Sequence, residues 1–588
     1  MLAKEHPAPE PRGAPRDDRR SLAMVGYSAA EAIEFWDAYL GAGPKPGEPR
    51  PTSPPPEMLR EITRQVAELH GIKVPDPYRP VRAGFPGRWG VRVALIGVVV
   101  AGSLALAGPA AAAIEDTVTD DIELARDRLA AAAASIPPGR YPVRTAPSGE
   151  WITSGPGYWT SGFFPGTLWL IHGATGDPYL RSQAESRLHA LEGQKRDTTG
   201  NDQGFKLLDS FGNAHRLTGD DAYRRVVLRG ARSLASRFGP AVGATRSWGN
   251  RNSPDFTVIV DNMMNLELLF WAAKHGGNPA WYGMALSHAL RTMRAHVRGD
   301  GSTFHVVDFD PHTGAVKRKR TRQGHARGST WSRGQAWAIH GFTMAYRETG
   351  DRRFLATVRR AADWFISHLP PDEVPYWDFD APGIPSAPRD SSAAAIAASG
   401  LLELAALEPD PARAARYRDS GESIIASLST PSYLGRGGAT QALLLHATQD
   451  RPKGSFDTGL VFGDYYFIEA LLRHRSPPAP EPAPELDVAV KDGRLRATVS
   501  SDEAGSVKAA LLARRATARK LDLRTAGSSV LGRGRLRLDG PGDVALRLRL
   551  ASGTKKAVRR LQSARALLSV VMRTADGRAS ATAVPLRL

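Results

Sequence analysis

The sequence predicts a mainly α fold of six helical hairpins over residues 115–475, the number that closes an (α/α)6 barrel, followed by a small antiparallel β-sandwich over 485–588. Three observations predict it. Ala/Leu-rich stretches with apolar residues recurring at three and four fill the middle of the chain. A Gly-then-Asp turn signature breaks them at intervals averaging 58 residues. Beyond a Pro-rich linker at 476–484 the apolar period drops to two.

Residues 1–92 form a Pro-rich extension, predicted to be largely without fixed structure, with clusters such as Pro54, Pro55 and Pro56. An uncharged apolar run then spans 93–114. Arg82, Arg88 and Arg92 precede it, and Glu115, Asp116, Asp120 and Asp121 follow. This charge asymmetry fits a signal peptide with an Ala-rich cleavage region near Ala110 to Ala113, or an uncleaved membrane anchor. The expectation is therefore an exported protein, secreted or held on the outer face of the membrane.

In the helical region the turns share one logic. Thr175-Gly176-Asp177-Pro178-Tyr179, Thr218-Gly219-Asp220, Gly277-Asn278-Pro279 and Thr349-Gly350-Asp351 each place a Gly to end one helix and an Asp or Asn to cap the next. Some 360 residues at a mean spacing of 58 give six hairpins. Periodicity alone leaves an open solenoid of hairpins as the alternative. The linker Ser476 to Pro484 (SPPAPEPAP) is extended and semi-rigid. After it, alternating stretches such as Val544 to Leu550 and Ala566 to Val571 lie between Gly-rich turns, as in a sandwich of short strands.

At 588 residues the chain exceeds one hydrophobic core. Its net charge of +18 is uneven: residues 485–588 carry 22 Lys/Arg against 9 Asp/Glu. The basic C-terminal module is thus the part that would attract an anionic cell-envelope polymer or acidic polysaccharide. Nucleic acid is not expected, because aromatic residues do not interleave with the cations. The absence of cysteine excludes disulfides, thiolate metal sites and cysteine nucleophiles. There is no His-Glu-x-x-His, Gly-x-Ser-x-Gly, phosphate-binding Gly loop or EF-hand loop.

The candidate chemistry lies in the helical region. Asp202 (NDQGF) and Asp261 (VDNMMN) are 59 residues apart, one hairpin period, so both carboxylates can face one pocket and act as acid and base. Both positions also suit plain helix N-caps. In Ser329 to Trp337 (STWSRGQAW), Trp331 and Trp337 offer ring faces for a pyranose, and Arg333 offers a fork that matches a carboxylate. That combination suggests an anionic sugar, although the same residues would also serve as core packing around a buried ion pair. His305 and Gln323 are candidate donors to sugar oxygens.

Seven motifs, in order over most of residues 120–475, resemble glycoside hydrolase family 88, the unsaturated glucuronyl hydrolases. They are WTSGFFPGTLWL from Trp159, NDQGF from Asn201, IVDNMMNLE from Ile259, FHVVDFDPHTG from Phe304, QGHARGSTWSRGQAWAIHG from Gln323, DSSAAAIAASG from Asp390 and GDYYFIEAL from Gly463. The resemblance implies an (α/α)6 barrel and a substrate ending in a 4,5-unsaturated uronic acid, the product of a polysaccharide lyase. It implies that Asp261 protonates carbon 4 and deprotonates the water adding at carbon 5, with Asp202 assisting. His305, Gln323 and Arg333 would hold the sugar, and Trp331 and Trp337 would stack on it. No metal or other cofactor is implied. Two positions depart from the family pattern: Phe164 stands where an indole is expected, and Arg322 where a His is expected. Arg451 and Lys453 fall where the family borders the second sugar, placed to read a sulfate or carboxylate. The competing functions are a related enzyme, such as an unsaturated rhamnogalacturonyl hydrolase or a polysaccharide lyase, and a non-catalytic acidic-glycan-binding protein.

Overall fold

The structure, a computed structural model, describes residues 114–476 apart from 438–439, and the strand segments between 485 and 587. The extension at 1–92, the apolar run at 93–114 except for Ile114, and the linker beyond Ser476 lie outside the described residues. The described chain is mainly helical, with small antiparallel sheets. Among the described residues, no helix is long and apolar enough to cross a membrane.

Helix α1 covers 114–135. It is followed by α2 (Phe163–Thr175), α3 (Pro178–Leu191) and α4, which is π-helical over Gly204–Gly212 and continues as Asn213–Thr218. Next come α5 (Asp221–Ala235), α6 (Asn262–Lys274), α7 (Ala280–Ala295), α8 (Ser332–Thr349) and α9 (Arg352–His368). The last are α10 (Ser391–Leu407), α11 (Pro411–Leu428) and α12 (Val461–Arg475).

The turn residues do what their chemistry dictates. Gly176, Gly219 and Gly350 end α2, α4 and α8 in the left-handed conformation, which costs glycine little. Asp177, Asp220, Asp351 and Asp410 then accept backbone N–H groups at the starts of α3, α5, α9 and α11. The third turn differs by one residue. There Gly276 takes the positive φ, and Gly277 instead makes room for the Trp281 ring, which a Cβ would meet at 2.6 Å.

The even-numbered helices pack in series: α2 on α4, α4 on α6, α6 on α8, α8 on α10, α10 on α12, and α12 back on α2. Helices α3, α5, α7, α9 and α11 each pack on the helix that precedes them. Composition follows this division. The Ala- and Ser-rich α10 is buried from Ser391 to Ala405, while α11 buries only Tyr417, Gly421, Ile424, Ile425 and Leu428. Ion pairs join the later turns of the even-numbered helices. Arg347 of α8 bridges Glu267 of α6 and Glu403 of α10, and Arg473 of α12 pairs with Glu403 and Glu469.

Short strands occupy loops before the even-numbered helices. Strands β1 (Tyr141–Thr145) and β2 (Trp151–Ser154) form a ribbon ahead of α2, and β3 (Phe238–Gly239) pairs with β4 (Ala244–Thr245). A three-stranded sheet, β5 (Phe256–Ile259), β6 (Val306–Phe309) and β7 (Val316–Arg320), delivers the chain directly to Asp261 and His305. In the C-terminal region, β8 (Glu485–Lys491), β9 (Arg494–Ser501), β10 (Gly505–Ala513), β11 (Val530–Leu538), β12 (Gly542–Leu546), β13 (Leu548–Leu550), β14 (Arg565–Thr574) and β15 (Ala579–Arg587) make two antiparallel sheets. Their orders are β13-β11-β10-β14-β15 and β12-β9-β8. Val499, Leu511, Leu546 and Val570, drawn from both sheets, share one core separate from the helical core.

Candidate active site

Asp202, Asp261, Trp331 and Asp390 all stand just ahead of even-numbered helices, so their side chains gather at one end of the bundle. A cavity of about 490 Å³ opens there. Its walls include Asp202, Asp261, Gln323, Trp331, Arg333 and Lys453.

Asp261 occupies the N-cap position of α6 but caps nothing. Its Oδ2 is buried without a hydrogen-bond partner. The asparagines that follow it are engaged instead. Asn262 accepts from Ser247 and donates to the Thr245 carbonyl, and Asn265, one turn on, takes the amides of Gly204 and Phe205 at 2.7 and 3.2 Å. The first amides of α4 are thus capped from the neighbouring helix, and the Asp202 carboxylate accepts the Asn201 side-chain amide at 3.1 Å instead. Gly204 permits this, because a Cβ there would lie 2.8 Å from Asn265 Oδ1 and 2.9 Å from its Cα. The N-cap alternative for the two aspartates therefore fails.

Burial, with a smaller push from Asp202, raises the Asp261 carboxyl to about 7 against the pull of its own backbone amide, Arg333 and Arg322. Burial also raises Asp202 to about 6, against Lys206 and Arg237. Near neutral pH the pair can hold a proton, which one carboxylic acid can donate.

His305 packs against this acid. Its ring stacks on Trp331 at 4.3 Å, and its Nε2 lies 3.7 Å from Asp261 Oδ2. The Arg322 amide donates to Nδ1 at 3.3 Å, so the proton of the neutral ring sits on Nε2 and points towards Asp261. Burial, reinforced by Arg333, holds the imidazole well below its usual pKa and keeps it neutral.

The other candidates divide. Arg333 lines the cavity, but its fork is engaged within the protein. It donates to Asp390 at 2.6 Å and to the carbonyls of Thr448 and Gln449, with its guanidinium over the Trp331 ring at 4.6 Å. Gln323 donates to the same Gln449 carbonyl at 2.8 Å. Together these two side chains fix the 448–450 segment as one wall. Lys453 lines the cavity and pairs with Asp450 at 3.1 Å. Arg451 does not reach it; its guanidinium lies over Phe456 at 4.2 Å. The structure also keeps Trp337 and Phe164 out. Trp337 is buried below the floor against Phe205 and Tyr466. Phe164 is buried on the face of α2 turned to α3, beside Arg187.

Residues that sequence reasoning passed over complete the cavity: Arg144, Tyr158, Trp159, Trp248, Gln449 and Ser455. Trp159, at the start of the same motif as Phe164, is the indole that faces the cavity. Arg322, singled out only as a departure, also lines it, with its guanidinium 5.1 Å from the Trp248 ring.

A helical fold with two protonatable carboxylates among indoles and cations has the parts a glycoside hydrolase needs. No protein-family model matches the chain. The chain is 43% identical over 324 residues to an unsaturated glucuronyl hydrolase of Formosa agariphila, covering 54% of this chain and 80% of the relative. It is 36% identical over 343 residues to an unsaturated glucuronyl hydrolase of Bacillus sp. strain GL1, covering 57% and 90%. Among solved structures it resembles an unsaturated glucuronyl hydrolase specific for heparin, with TM-score 0.59 and 38% identity over 61% of this chain and 97% of that one. The chain belongs to the unsaturated glucuronyl hydrolases, glycoside hydrolase family 88.

Proposed function

We propose that this enzyme removes the terminal 4,5-unsaturated uronic acid from lyase-derived oligosaccharides by hydrating the ring double bond. One observation carries the mechanism: Asp261 is a half-buried acid raised to about 7, capping nothing, with its buried Oδ2 lacking a hydrogen-bond partner at a cavity wall. Its proton passes to carbon 4 and leaves an oxocarbenium centre at carbon 5. Water adds there and returns a proton to the carboxylate, with Asp202 assisting. The carbon 5 hemiketal opens to a ketone, and the hemiacetal left at carbon 1 releases the partner sugar. A vinyl ether is already reactive towards acid, so the step requires no metal. The cations Arg144 and Arg322, with Lys453 beside them, supply the attraction for an acidic sugar.

The serial packing of the even-numbered helices, with α12 returning to α2, supports reading the helical region as an (α/α)6 barrel. The shared core of the two C-terminal sheets supports a β-sandwich. We place the enzyme outside the cytoplasm on the charge asymmetry around 93–114, with the basic C-terminal module holding anionic polymer. Turnover of an unsaturated disaccharide in D2O tests the chemistry. Hydration puts one deuterium on carbon 4 of the released sugar, visible by NMR; product without it contradicts the mechanism.

A further inference from the structure

Away from the active-site cavity, a groove of about 750 Å³ is lined by Arg225, Arg229 and Arg232 of α5, by Trp281 after the α6–α7 turn, and by Arg533 of β11. The helix arginines stand at i, i+4 and i+7, on one face, and all are exposed. Their neighbour Arg224 is paired with Asp221 at 2.7 Å, but none of the four groove arginines forms an ion pair among the described residues. Like charges at that spacing repel, so the row weakens the helix unless an anion shares it.

The C-terminal sheet continues the row. Arg533 and Arg535 alternate onto one face of β11, and Lys508 of β10 stands opposite Arg535 in register. Ala510 and Leu512 of β10 lie on this same face and join the helical core, so the face looks towards the helices. The junction is closely fitted. A Cβ on Gly283 of α7 would meet Ser569 Oγ at 2.5 Å, and Arg573 donates to the Lys274 carbonyl at 2.7 Å. The two walls are therefore held in a fixed relation.

We propose that this groove is an accessory binding site for a sulfated or uronate-rich polysaccharide, separate from the catalytic cavity. Guanidinium forks match sulfate and carboxylate in charge and shape. Among the described residues, Trp281 is the only aromatic side chain lining the groove and is buried, so they offer no exposed ring for stacking bases. The choice of an acidic glycan rests in part on the proposed substrate of the cavity.

The test compares the full-length enzyme with the Arg225→Gln/Arg229→Gln/Arg232→Gln variant and with Arg533→Gln, using heparin as the probe over a salt series. A charge-matched control carries Arg352→Gln, Arg360→Gln and Arg418→Gln on α9 and α11. The groove variants bind roughly tenfold more weakly with a shallower salt dependence. The control binds like wild type, and all forms turn over unsaturated disaccharide equally. Unchanged heparin binding in the groove variants, an equal loss in the control, or tighter wild-type binding to single-stranded DNA overturns the proposal. Heparin binding that depends on the groove, in an enzyme that hydrates no disaccharide, would sink the substrate assignment and leave the groove standing.

Discussion

Asn265 Oδ1 accepts the Gly204 amide at 2.7 Å, and through that bond the helix that begins at Asp261 holds the segment that carries Asp202. One buried side-chain amide therefore sets the spacing of the two carboxylates. It also relieves Asp202 of the capping role its position invites.

Asn265→Ala removes this cap and leaves two buried amides without an acceptor, a loss of about 1–2 kcal/mol in stability. The effect on rate is separate from the loss of stability. With Asp202 no longer fixed against Asp261, kcat falls more than KM rises, measured at a temperature where the variant is fully folded.

The pH profile follows from Asp261. The acid form donates the proton, so kcat/KM falls as pH rises through about 7. Arg322 favours the carboxylate and so holds this value down. Arg322→Ala shifts the alkaline limb to higher pH, as measured from initial rates across pH 5 to 9 in buffers of constant ionic strength.

The aromatic residues separate by placement. Trp159→Ala takes a ring from the cavity wall, and KM for the unsaturated disaccharide rises. Phe164→Leu, in the core between α2 and α3, lowers the melting temperature and leaves KM at the wild-type value.

Helix ends were legible because their signals are local: Asp177, Asp220, Asp351 and Asp410 each cap a helix from the adjoining turn. The juxtaposition of Asp202 and Asp261 was legible through the hairpin period that separates them. The rest depended on information that local pattern does not hold. Which aromatic of WTSGFF faces the cavity is a question of helical phase: Trp159 precedes α2 and looks inward, while Phe164 has turned towards α3. Trp248 and Tyr158 reach the site from loops with no periodicity, placed there by tertiary packing alone. Arg333 looked like a substrate fork because nothing near it in sequence announces that Asp390 and the Thr448 and Gln449 carbonyls would engage it. The groove arginines of α5 resemble an ordinary solvated face until Arg533 is seen beside them.

The most direct measurement is turnover by Asp261→Asn, followed through the ultraviolet absorbance of the ring double bond alongside disaccharide binding by calorimetry. The carboxamide keeps the size of the side chain and removes its acid, so binding persists while loss of absorbance slows by at least about a thousandfold. Hydration at the wild-type rate in this variant would contradict the assignment of Asp261 as the proton donor.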